Sequence, residues 1–349
     1  MIKAFKDKTK ITQIHKSFTT INKNTIKNYL NNNVTTKLSG KNPTTDIFLY
    51  TNQNPNIGPI NRDSRCWLNG VKNIGCLCAA QLDGSLASDK LVTLISPKHV
   101  YLSNHYGPNG FGFLYTILSG GFFQAQSKPA EILFVNGNNE TISRKIIKGM
   151  YASDHWNTGP NSIGQVVGLL DEEVPPDSFP FAKVLPPNFQ NYFAFTKNIF
   201  EGGTDVLLSQ DQFYTVTTTR SITINNQLYE KQTVVLGKFN KVYFENSYPF
   251  FPDTTIAQQN NYMYISSYMP SDALSAWFAS TGVQLGDSGR PIFVIIDNEL
   301  VLLGIWQNQE GGDMISSSSY YNSTNRAMQK LGGGYELTPI NLEYFYNTV

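Results

Sequence analysis

The sequence predicts an all-β protein, and three observations carry that reading. Apolar runs of strand length recur along the chain between clusters of Asn, Gly, Pro and Ser. Aromatic residues make up 13% of the chain and charged residues only 15%, a mix that suits strands and polar turns better than long charged helices. One segment alone carries good helix signals: Asn322 or Ser323 as N-cap, Ala327, Met328 and Leu331 on one face, and Gly332-Gly333-Gly334 as the stop. Many strands at short spacing imply a closed or stacked sheet architecture.

Taken in order, residues 1–45 read as a basic, Asn-rich arm. Residues 1–41 hold nine lysines against Asp7 alone, and such a polar segment is expected to be flexible and to touch its own core little or, where ordered, to pack on another subunit or cross the surface through Ile and Phe anchors. Residues 46–64 form a linker with a short strand at 47–50. The compact region, 65–349, opens at Arg65-Cys66-Trp67-Leu68. Strands are expected at 91–95, 112–118, 131–135, 141–147, 165–170, 181–185, 205–208, 213–218, 221–224, 232–236, 241–244, 262–266, 291–296 and 300–306. Asp297-Asn298 joins the last two as a hairpin turn.

Composition also excludes. A net charge of +1 creates no field that would recruit nucleic acid or an anionic membrane. No run is long enough to span a bilayer, and the basic N-terminus lacks the apolar stretch of a signal peptide. Localisation is left open. Cys66, Cys76 and Cys78 make an odd count; a Cys66–Cys76 or Cys66–Cys78 bridge is open, and buried free thiols are the favoured reading. The four histidines show no ligand spacing, so neither metal nor other cofactor is expected.

The chemistry concentrates in Gly282-Val283-Gln284-Leu285-Gly286-Asp287-Ser288-Gly289-Arg290-Pro291. Ser288 stands between small residues, after an aspartate and before an apolar strand, which presents a hydroxyl on a tight turn. The N–H groups of Gly286 and Ser288 can then converge on one oxygen as an oxyanion hole. A nucleophilic serine also needs an imidazole base. His15 lies in the arm and His155 in a polar loop, so His99 and His105, both within the segment 91–106, remain as candidates.

The segment 91–106, with a β-branched strand, a turn at Ser96-Pro97-Lys98, a short second strand and then His105, resembles the catalytic-histidine segment of the trypsin-like (chymotrypsin-fold) serine proteases. Ser288 downstream, Leu303-Gly304-Ile305-Trp306 after it and a terminal helix extend the resemblance over roughly 65–349. It implies two packed six-stranded β-barrels and an endopeptidase with Ser288 as nucleophile, His105 as general base, and Gly282, Trp306 and Gln307 lining the specificity pocket. The acid departs from the pattern. Gly164 stands where the family places Asp before a strand, with Asn161 and Ser162 just upstream; Asp154 is the candidate substitute, and Asp171 ends the strand too far away. Gly282 in place of an acidic pocket base does not support cleavage after Arg or Lys. Two functions follow: an endopeptidase acting on a polypeptide substrate, or a protease-fold binding module with a protein partner, for instance in a viral particle, through residues 1–45.

Overall fold

A computed structural model describes residues 20–21, 23–52, 58–82, 91–103, 115–117, 122–125, 129–152, 165–193, 195–198, 204–207, 212–242, 262–280, 282–284, 286–307 and 311–347. These are mostly β, with two α-helices among the described residues, α1 (Lys23–Leu38) and α2 (Ser318–Leu331).

The first sheet uses β1 (Cys78–Gln81), β2 (Thr93–Ser96), β3 (His99–Ser103), β4 (Tyr115–Ile117), β5 (Phe122–Ala125), β6 (Ala130–Val135), β7 (Thr141–Tyr151) and β8 (Gln165–Leu170). Its main path is six antiparallel strands in the order β1-β6-β7-β8-β3-β2, with β5 on β7 and β4 on β5. The sheet curls. A lone bridge between Leu77 and Thr93 joins its two edges, and β7 carries a bulge between Ile146 and Lys148 where its pairing shifts, the usual device for bending a strand. All six residues of β8 are buried, as expected of a strand covered on both faces.

The second sheet uses β9 (Lys183–Val184), β10 (Phe195–Asn198), β11 (Thr204–Leu207), β12 (Tyr214–Thr219), β13 (Thr233–Val242), β14 (Tyr262–Ser266), β15 (Pro291–Ile296), β16 (Glu299–Ile305) and β17 (Gly311–Asp313). Its order is β9-β16-β15-β12-β13-β11-β10, with β14 bridging β13 and β17. Among the strand pairs of the described residues, only β9 on β16 is parallel. The β15–β16 hairpin turns at Asp297-Asn298, both at positive φ (53° and 60°), the conformation a two-residue hairpin requires. One apolar cluster takes Leu94, Val100 and Val167 from the first sheet together with Val216, Phe293 and Leu302 from the second. The sheets therefore share a core.

Two expectations need correcting. The arm is not without contacts: α1 buries Ile26, Leu30, Val34 and Leu38, donates Asn33 Nδ2–H to Ile295 O (2.8 Å) and accepts the Tyr214 N–H at Asn31 Oδ1 (3.0 Å). Apolar residues spaced by four lie on one helical face, and that face seats on β15 and β12. Residues 1–19 lie outside the described set. The strand expected at 47–50 is instead a turn leading to a single bridge, Phe48 to Thr233, before a short pair of Tyr50–Asn52 with Asn61–Arg62.

Candidate functional site

The Ser288 turn sits between β14 and β15 and is shaped by glycines: φ is +75° at Gly282, +99° at Gly286 and +88° at Gly289, conformations that glycine adopts at little steric cost. Its N–H groups divide in an orderly way. Those of Asp287, Gly289 and Arg290 donate to Gln284 O (3.0 Å), Trp306 O (2.7 Å) and Asp287 O (3.0 Å). Among the described residues nothing accepts from the N–H groups of Gly286 and Ser288. The Ser288 hydroxyl itself is loosely held, its one described acceptor being Gln307 O at 3.4 Å, long for an O–H···O bond.

A buried ion pair fixes this turn. Asp287 is 1% exposed and Arg290 0%, with Oδ1 and Nε 2.8 Å apart. The same carboxylate accepts the Arg220 N–H at Oδ1 (3.0 Å) and the Gln284 N–H at Oδ2 (3.1 Å). A buried charge held by several donors rigidifies its surroundings, and removing one partner of such a pair typically costs ~3–5 kcal/mol. The Arg220 guanidinium also lies against Gly286, where a Cβ would come within 3.1 Å of its Cζ. Any larger residue at 286 would push that cation aside.

The first sheet reaches this turn through the end of β3. A Cβ on Gly289 would lie 3.3 Å from Ser103 Cβ and 3.5 Å from Ser103 N, so glycine permits the close approach. Ser103 Oγ–H donates to Gln307 Oε1 at 2.8 Å, and both residues are buried.

Of the residues singled out from sequence, Ser288, Gly286 and Gly282 belong to this turn. His105 and Asp154 lie outside the described residues, as do Asn161, Ser162 and Gly164. Trp306 and Gln307, expected to line a specificity pocket, are both buried among the described residues. Trp306 is fully buried and its indole N–H is donated to Thr217 Oγ1 (2.6 Å), while the Gln307 side chain turns inward to Ser103. Gly282 is tucked against Ser267, whose Oγ accepts the Val283 N–H (3.0 Å) and would stand 3.2 Å from a Cβ at 282. Asp171 is an exposed turn residue whose Oδ1 accepts the N–H groups of Lys145 and Glu172. His99 opens β3, fully buried, with Nδ1 2.8 Å from Ser96 Oγ.

Cys66, Cys76 and Cys78 are free and buried. Burial pushes the Cys66 thiol up to about 11 and the other two up to about 12, which makes them poor nucleophiles. Among the described residues no group of His, Cys, Asp and Glu is arranged to hold a metal, and no helix is long and apolar enough to cross a membrane. Sequence reading missed Arg290, Arg220 and Ser103. Arg290 left a signal: a charge directly before a fully apolar strand, three residues after an aspartate, needs a buried partner. No family model matches the chain, and no curated protein is found to be similar to it.

Proposed function

We propose that this protein is a serine hydrolase of endopeptidase type, with Ser288 as nucleophile, His105 as general base and the N–H groups of Gly286 and Ser288 as the oxyanion hole. One observation carries the reading. The turn spends the N–H groups on either side of Ser288 on its own hydrogen bonds and leaves those of Gly286 and Ser288 unspent among the described residues, beside a weakly held hydroxyl. Donors kept in reserve around a nucleophile are what stabilise a developing oxyanion. The base is supported by connectivity: Ser103 touches the turn, and two peptide units, about 7 Å of chain, lead from it to His105.

In this mechanism His105 takes the Ser288 proton as Oγ attacks the scissile carbonyl, then returns it to the leaving amine. Gly164 at the acid position weakens the imidazole's orientation and the stabilisation of its positive charge, a loss on the order of 10⁴ in rate when nothing replaces the carboxylate. That same feature favours the second reading, a protease-fold binding module. Treatment with a neutral fluorophosphonate, read by intact mass, separates the two. Covalent modification that Ser288→Ala abolishes supports the hydrolase; no modification between pH 6 and 9 supports the module. Asp154→Asn then tests the acid, slowing modification by orders of magnitude where Asp154 serves.

A further inference from the structure

We infer that Gln307 is a positioning residue that clips the end of β3 to the Ser288 turn, an inference that rests on the hydrolase reading for its catalytic consequence. Gln307 and the residue before it hold both sides at once. The Gln307 side-chain Oε1 accepts the Ser103 hydroxyl at 2.8 Å, and the carbonyl of the preceding Trp306 accepts the Gly289 N–H of the turn at 2.7 Å. The Gln307 N–H is donated to Gly311 O at 2.9 Å, which anchors the clip to β17. The clip joins two different sheets, because Ser103 ends β3 and Gln307 follows β16.

Burial gives this contact its weight. Gln307 is 1% exposed and Ser103 7%, so water does not readily replace either partner, and a buried polar atom that loses its partner bears the desolvation cost. With glycine at 289 allowing β3 to approach, the Ser103–Gln307 bond is a buried polar contact that sets the end of β3 against the turn. Reacting groups misplaced by about 1 Å can lose on the order of a hundredfold in rate.

Two measurements on the full chain test this. In the first, Gln307→Met and Ser103→Ala each slow fluorophosphonate modification of Ser288 by about ten- to a hundredfold, and the double variant is no slower than the slower single one, because both remove the same bond. Multiplying losses, or no loss in a protein whose Ser288 is modified, overturn the clip and leave the hydrolase standing. In the second, hydrogen exchange needs no activity. Peptides covering 99–103 exchange faster in both variants while those covering β15 do not. Unchanged exchange in 99–103 overturns the clip whatever the labelling result. A wild-type protein that resists the reagent while its exchange responds as expected keeps the clip and removes the hydrolase.

Discussion

At the scale of single residues, His99 shows how burial sets chemistry. Desolvation is the main force on its imidazole, with the charge of Lys98 adding to it, and together they lower the pKa from 6.5 to about 4. The folded protein therefore holds His99 neutral over a range in which the unfolded chain binds a proton. Because the unfolded state takes up more protons there, stability rises with pH across that window. It is fully present above about 6.5 and is lost as pH falls toward 4. His99→Gln should flatten this acid limb, by up to ~1.4 kcal/mol per pH unit for a single group. Urea midpoints for both proteins at pH 7, 5.5 and 4.5 measure it, and parallel losses would show that other groups drive the acid sensitivity. The contrast with Ser288 is one of position. His99 is locked inside β3, whereas the nucleophile candidate rides a turn whose polar groups remain partly unspent.

Among the elements, α1 depends most on tertiary contact. Its sequence is rich in Asn and Thr, weak helix formers, so docking has to hold it. Leu30 is 1% exposed and packs in the cluster containing Ile292, Val294 and Phe345. Leu30→Ala should cost ~3 kcal/mol in a denaturant titration; a loss below about 0.5 kcal/mol would mean that the helix is not docked. The same composition hid α1 from sequence reading, which saw lysines and asparagines rather than four apolar residues spaced by four. Strands at 165–170, 262–266 and 291–296 were legible to the residue, because continuous apolar runs ended abruptly in polar or turn residues. β13 was not. Its sequence reads as two strands, 232–236 and 241–244, yet Gly237 lies inside one continuous strand, where a Cβ would come within 2.6 Å of the Ile265 and Thr215 side chains; the glycine marks a close approach, not a turn. The Ser288 turn was legible from its glycines. The inward course of Trp306 and Gln307 was not, since β16 is almost wholly buried and alternation carries no signal where both faces are covered.

Over the whole molecule, hydrogen bonds tie the second sheet to the first and to the turns that lead into it, beyond the shared core. Asn73 exchanges two bonds with Leu300, its Nδ2–H donating to Leu300 O (2.9 Å) and its Oδ1 accepting the Leu300 N–H (2.7 Å). Trp67 Nε1–H donates to Val234 O (3.2 Å), and Gln232 Nε2–H to Ala79 O (2.7 Å). The first and last described segments are tied as well: Thr20–Ile21 pairs antiparallel with Tyr346–Asn347, and Tyr29 and Tyr344 both donate to Asp297 Oδ1. Residues 20 and 347 are therefore only about 5 Å apart along a ladder rung. Topologically the described chain is a ring with a one-rung gap, so the gap can be moved. A circular permutant that joins 347 to 20 through a few glycines and opens at Asn225-Asn226, the exposed tip of the Ile222–Ile224/Gln227–Tyr229 hairpin, should melt within about 4 °C of a chain trimmed to 20–347, a difference of ~1 kcal/mol or less. A much larger drop would mean that the hairpin must be continuous for the two sheets to meet, and the order in which the ring is read would then belong to the fold itself.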